Sequence, residues 1–344
     1  MRTILTALLA FAAGVLLMLW LPDRAPTPAP VTDTPAPATA GTAAAATGTA
    51  GESDSEDPDG GNPRWPDHGP TPEQVLYAQP RMLRDALAQL GPRQPGKPNL
   101  YLLAFAGDGG EDVFRNETEY AARMFRQRFG ASAHALVLEN HPASLATRPL
   151  ASWSNLEGAL DGLAKAMQPE DILVLYMATH GSEDHELLVD MDPLPLDQIG
   201  AQDLADILKE HPFKWKVVVV NACYSGGFIP PLAGDGTLVL TAARSDRSSF
   251  GCGSESEITY FGHAWLVDAL SRSDNFVDAF AQAKTEIAQW ERQDKLTPSE
   301  PQSYVGKGIE AQLAAWRKGI TPGPGVPFTP AAPVPAASVA AATY

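Results

Sequence analysis

The sequence predicts an α/β fold, a mostly parallel sheet flanked by helices on both faces, and three observations carry that reading. Apolar runs of strand length recur along the middle of the chain, with amphipathic helical stretches between them. One of these runs, Val217-Val218-Val219-Val220, is four β-branched residues in a row, the pattern of an inner strand covered on both faces. A second run, 171–179, is built the same way and ends on His180-Gly181-Ser182, as the valine run ends on Asn221-Ala222-Cys223-Tyr224-Ser225-Gly226-Gly227. Functional groups in open α/β sheets gather at the carboxyl ends of strands. An imidazole at one strand end and a thiol at another therefore read as a nucleophilic pair. A free thiol is mostly protonated at neutral pH and needs a base or a positive neighbour, which His180 supplies.

The remaining elements follow in order. Residues 73–90 carry spaced apolar positions that fit short helical pieces ahead of the core. Residues 100–105 form the first core strand and run into Ala106-Gly107-Asp108-Gly109-Gly110. No complete G-x-G-x-x-G can be written there, so this is a glycine turn and not a dinucleotide loop. A helix over 113–129, a strand over 135–138 and a helix over 155–167, opened by the capping box Ser154-Asn155-Leu156-Glu157, come next. The His180 strand, a helix over 199–210, the Cys223 strand and a strand over 237–242 follow. Helices over 261–270 and 275–290 close the core.

The flanks are of another kind. Residues 4–21 are an uncharged apolar run behind Arg2, long enough to span a membrane. The run ends in Leu17-Met18-Leu19-Trp20-Leu21-Pro22, too bulky for a signal-peptidase site, so 1–24 read as an uncleaved signal anchor. By the positive-inside rule the rest of the chain then faces away from the cytoplasm, the periplasm if the source is bacterial. Residues 25–70 and 321–344 are rich in Pro and Ala and read as disordered linker and tail around a domain at 71–320. A net charge of −16 argues against nucleic acid and anionic membrane surfaces as partners. Two cysteines are too few for a disulfide scaffold, although Cys223 and Cys252 are able to pair in an oxidising compartment.

Thr179-His180-Gly181-Ser182, Asn221-Ala222-Cys223-Tyr224-Ser225-Gly226-Gly227, Thr241-Ala242-Ala243 and Ser248-Ser249-Phe250-Gly251-Cys252 together resemble the legumain family of cysteine peptidases. That family has a caspase-like fold and includes asparaginyl endopeptidases and the catalytic subunit of the glycosylphosphatidylinositol transamidase. The resemblance runs from about residue 99 to about residue 308. It implies a protein or peptide substrate, no cofactor, catalysis by His180 and Cys223, and an oxyanion hole from the amides of Gly181 and Cys223. It also implies a substrate pocket with Arg115, Ser248, Asn221 and His263. The pocket's acidic position falls at or near His263, and Asn221 stands where legumains usually carry a glutamate; both depart from the pattern. An arginine without its acid would tolerate aspartate before the scissile bond, most of all between roughly pH 4 and 6.5, where His263 gains charge before the substrate carboxylate loses it.

Other candidates are weaker. His180 and His185 lack the companions of a zinc motif, so no metal is expected. Ser225 lacks the first glycine of G-x-S-x-G. Two alternatives to hydrolysis stay open: a transamidase or ligase using the same pair, and a catalytically silent binding module. The sequence is silent on oligomeric state.

Overall fold

The computed structural model describes residues 65–253 and 255–332, and its sheet bears out the α/β reading. Six strands lie side by side in the order β2-β1-β3-β6-β7-β8. They are β1 (Leu100–Ala106), β2 (Ala133–Glu139), β3 (Ile172–Ala178), β6 (Trp215–Asn221), β7 (Thr237–Thr241) and β8 (Gln302–Val305). The first five are parallel, and β8, which the sequence reading missed, runs antiparallel on the β7 edge. A separate two-stranded ribbon pairs β4 (Glu186–Leu187) with β5 (Ile199–Gly200), so the helix placed over 199–210 begins two residues later.

Seven longer helical segments accompany the strands: α1 (Pro72–Ala88), α2 (Asp112–Phe129), α3 (Trp153–Ala166), α4 (Ala201–Glu210), α5 (260–272), α6 (Phe276–Gln293) and α7 (Ile309–Lys318). Alternate residues of each inner strand feed two cores. Leu102, Val174, Val217 and Leu238 face Phe125, Trp265, Phe276 and Trp316 of α2, α5, α6 and α7. Leu103, Leu175, Val218 and Val239 face Leu160 of α3 and Leu204 of α4 on the other side. Inner strands are thus apolar throughout because both of their faces meet helices.

Several boundaries differ from the sequence reading. The region 73–90 is one helix: Thr71 caps it with Gln74 in a reciprocal box, and Pro80 sits inside it. Helix α3 is capped by Ser152, whose hydroxyl accepts from the Asn155 amide, not by Ser154. The middle of α5, His263–Ala269, is wound as π-helix. The linker expected over 25–70 gives way by Trp65, which packs with Val75 and Leu145.

The tail also differs. Residues 321–332 run back along α2 instead of being disordered. Gly323 and Arg128 exchange backbone and side-chain bonds, Tyr120 Oη donates to the Val326 carbonyl, and Phe328 packs edge-on against Tyr120. Most of the contacts are made by backbone carbonyls, with Phe328 as the one large side chain, which a Pro/Ala-rich composition does not disclose. Among the described residues no helix is long and apolar enough to cross a membrane; the proposed anchor at 4–21 lies outside them.

Candidate active site

Strand register assembles the site. Ala106 pairs with Ala178 across β1 and β3, and Ala178 with Asn221 across β3 and β6. Two residues beyond each partner lie Asp108, His180 and Cys223, so three neighbouring strand ends deliver three reactive groups side by side. The chain departs in opposite directions from β1, to β2 on one side and β3 on the other, and the site lies at that switch point.

Cys223 heads a turn in which Tyr224 adopts a left-handed backbone with φ of 55°, an uncommon state for a residue with a side chain. The turn continues as a 3-10 segment, Ser225–Phe228. A Cβ on Gly226 would lie 2.5 Å from the Ser245 amide, and one on Gly227 2.2 Å from the His185 ring. Both glycines are therefore required by close packing of the turn. His185 accordingly lies beneath the nucleophile turn. Ser225 is fully buried and its hydroxyl accepts from the Ala243 amide, which makes it part of the scaffold.

Half-buried, the Cys223 sulfur accepts a hydrogen bond from the Ser249 amide at 3.2 Å, with the Ser249 hydroxyl at 3.6 Å. Its pKa is brought down to about 5. A hydrogen bond from Cys252 is the largest cause; the Ser249 hydroxyl and amide and the charge of His180 add to it against the effect of burial. The Cys252 thiol is pushed far above the ordinary range by the same hydrogen bond, by burial and by the charge on Cys223. Both cysteines are free.

His180 is about one-third exposed. Its Nε2 lies 3.5 Å from Asp108 Oδ2 and 3.7 Å from Glu111 Oε2, and Phe114 meets the ring edge-on at 5.1 Å. Burial, and then the charge of Asp108, hold the Glu111 carboxyl above its ordinary value, with His180 pulling it back. These three side chains bring their polar atoms within 4.8 Å of one another.

Gly181 sits where its N–H is left free. In its bridge with Leu187 the flanking bonds, Ser182 amide to Glu186 carbonyl and Leu188 amide to His180 carbonyl, are the ones made. A Cβ on Gly181 would lie 2.2 Å from the Cys223 carbonyl oxygen, so the two backbones meet in a way only glycine allows.

The four pocket residues fare differently. Arg115 is buried on α2, one residue past Phe114. Its Nη2 donates to the Ala332 carbonyl at 3.0 Å, and its Nε lies 3.6 Å from Glu139 Oε1 at the end of β2. Glu139 is pushed up to about 7 by burial and by Glu119. The arginine's acid thus comes from β2 and not from α5. His263 points elsewhere: it is 47% exposed, 3.6 Å from Asp268, and packs against Trp290. A pH-dependent aspartate preference built on His263 beside Arg115 loses its geometric basis. Ser248 is exposed, and its neighbour Ser249 is the one that touches the sulfur.

Asn221 does not face substrate. It is 2% exposed and donates to Glu117 Oε1 at 2.5 Å and to Thr259 Oγ1 at 2.8 Å. Fully buried Glu117 also accepts from Tyr176 Oη, Thr259 Oγ1 and the Thr259 amide, four donors in all with Asn221. A Cβ on Gly262 would lie 1.9 Å from Glu117 Oε2, so Gly262 makes room for the carboxylate. The network ties α2, β3, β6 and the start of α5 together directly behind the nucleophile. Burial still holds Glu117 above its ordinary value, so a second charge there has no donor left to meet it. Asn221→Asp should therefore cost about 3–5 kcal/mol of stability, read as a fall in denaturant midpoint; a substrate role for Asn221 would instead raise KM at unchanged stability.

The Peptidase C13 family model matches residues 154–312, a stretch that contains both His180 and Cys223 and stops short of Asp108, Glu111 and Arg115. The match supports the legumain-type resemblance and indicates a cysteine peptidase acting on protein or peptide. No curated protein matches the chain. Among solved structures, caspase-1 from Spodoptera frugiperda is similar over 63% of this chain and 89% of that chain, at 11% identity and a TM-score of 0.43.

Proposed function

We propose that the chain is a cysteine endopeptidase in which Cys223 attacks the substrate carbonyl and His180 carries the proton. The observation that supports this best is the register that places His180 and Cys223 two residues past paired positions on adjacent strands. The Cys223 thiolate, its proton passed to the imidazole, attacks the carbonyl carbon and forms a tetrahedral oxyanion against the amides of Gly181 and Cys223. The imidazolium then gives that proton to the leaving amine, and the neutral ring activates water for deacylation. No step calls for a cofactor.

Arg115 with Glu139 is the proposed reader of the residue before the cut. The guanidinium already holds a peptide oxygen, that of Ala332. With a carboxylate beside it, the pair offers a donor and an acceptor, which suits asparagine and admits aspartate. The segment 4–21 is proposed to hold the enzyme on the extracytoplasmic side of a membrane, so the protein should resist carbonate extraction; a soluble mature form beginning near residue 25 would show a cleaved signal instead.

The experiment is cleavage of matched Asn and Asp peptides by the detergent-solubilised full chain, with product masses read in the presence and absence of an added amine. Hydrolysed products carrying a new carboxyl terminus after Asn or Asp are expected. Amine-capped products would make the enzyme a transamidase, and cleavage after neither residue would remove the Arg115 assignment.

A further inference from the structure

The β1–α2 turn does more than connect two elements. A Cβ on Gly107 would lie 2.5 Å from the Leu188 carbonyl oxygen, and one on Gly109 2.6 Å from Met191 Sδ. The Gly109 amide donates to Asp190, and Asp190 donates back to Gly107. The turn is thus clamped against the loop that follows the His180 strand. Between the clamped glycines stands Asp108. Its Oδ1 accepts from the Gly110 amide at 2.8 Å, its side chain is 9% exposed, and its other oxygen faces His180.

Glu111 adds an independent observation. It occupies the N-cap of α2, and its side chain makes no capping bond. Its Oε2 is buried without any hydrogen-bond partner and lies 3.7 Å from His180 Nε2. A carboxylate oxygen buried without a hydrogen-bond partner beside an imidazole is placed for that imidazole.

We propose that Asp108 and Glu111 are positioning residues that together hold the Nε2–H of His180, leaving Nδ1 as the nitrogen that exchanges a proton with Cys223. The inference rests on the reading of Cys223 as nucleophile and adds the tautomer and the groups that fix it. The proton leaves the sulfur for Nδ1 and passes from Nδ1 to the leaving amine; Nε2 keeps its own proton throughout, and the carboxylates take none. They stabilise the imidazolium that forms in between. The charged and titratable groups around the ring are Asp108 and Glu111 from the β1–α2 turn and Cys223 from β6, with Asp190 behind Asp108 and Cys252 near Glu111. Phe114 fixes the ring from the remaining side.

Because two carboxylates serve one nitrogen, either should support the ring in part when the other is neutralised. Asp108→Asn keeps the acceptor for Gly110 and removes the charge; Glu111→Gln does the same for its partner. Each alone should lower kcat about tenfold and the pair about 10²-fold or more, within the range of a general acid–base contribution. KM and thermal midpoint should hold, and Asp108→Glu should recover part of the loss. In full-length protein carrying ¹⁵N-labelled histidine, with His180→Gln assigning the signal, the neutral ring of His180 should be the Nε2–H tautomer. In the double variant it should become a mixture. A double variant with wild-type kcat, an unchanged ring spectrum, or a loss confined to KM or thermal midpoint would overturn the proposal. Full turnover by Cys223→Ala would instead defeat the nucleophile assignment, leaving the ring spectrum to decide the positioning role by itself.

Discussion

Replacing Cys223 by alanine, or His180 by alanine, should lower kcat/KM by roughly 10⁴-fold or more, because nucleophile and proton carrier act as one unit and the loss of either removes the covalent route. Neither change should disturb the fold. Cys223 is half-buried on a turn whose shape is set by Gly226, Gly227 and Ser225, and His180 is one-third exposed. Circular dichroism and thermal midpoint should match the parent protein. Cys252→Ala is the informative contrast. Cys252 enters only through the acidity of the Cys223 thiol, so most activity should remain. Loss of that donor should raise the pH at which Cys223 becomes reactive, because its hydrogen bond is the largest cause of the low thiol pKa. A Cys252→Ala enzyme as inactive as Cys223→Ala, with an unchanged fold, would mean that the pair has been assigned wrongly.

Gly181→Ala should lower kcat by about 10²–10³-fold, the usual cost of losing an oxyanion donor. The added methyl would sit 2.2 Å from the Cys223 carbonyl oxygen and 3.1 Å from Ala222 Cβ. Both neighbours belong to the nucleophile strand and its turn, so neither yields as a flexible side chain would. The two strand ends must separate, which moves the Gly181 amide from the Cys223 amide and His180 from the sulfur. KM should change far less than kcat, since the donor acts on charge that develops after binding. An equal loss in both would place Gly181 in substrate binding instead.

The parallel sheet and the pair at its edge were legible because they are local patterns: apolar runs of strand length, each ending in small residues and one reactive group. The valine run reports burial on both faces by its composition, and α2 and α6 report their buried stripes by helical spacing. What stayed hidden depends on which segments meet. Asp108 looked like a turn residue, because only the placement of β1 beside β3 brings it to His180. Glu139 could not be recognised as the partner of Arg115 without knowing that β2 ends beside the start of α2. Asn221, two residues before Cys223, reads in sequence as a substrate residue; its companions Glu117, Tyr176 and Thr259 lie far away in sequence and close around it in space. The tail was misread for a different reason. Its Pro/Ala composition lacks the apolar surface to fold alone, yet its carbonyls satisfy Arg115, Tyr120, Arg123 and Arg128 on a helix that already exists.

Whether Cys223 is the activated nucleophile is tested most directly by alkylating the protein with iodoacetamide across pH 3–10 and reading each cysteine separately by mass spectrometry. The two thiols share one chain and one reaction, so Cys252 serves as an internal reference. Thiolate is the reactive form. Cys223 should therefore label at a rate that rises through about pH 5 and is already near its plateau at neutrality, while Cys252, held far above the ordinary thiol range, remains unlabelled. Labelling of Cys223 that begins only near the ordinary thiol value of about 8.5, or labelling of Cys252 first, would contradict the account.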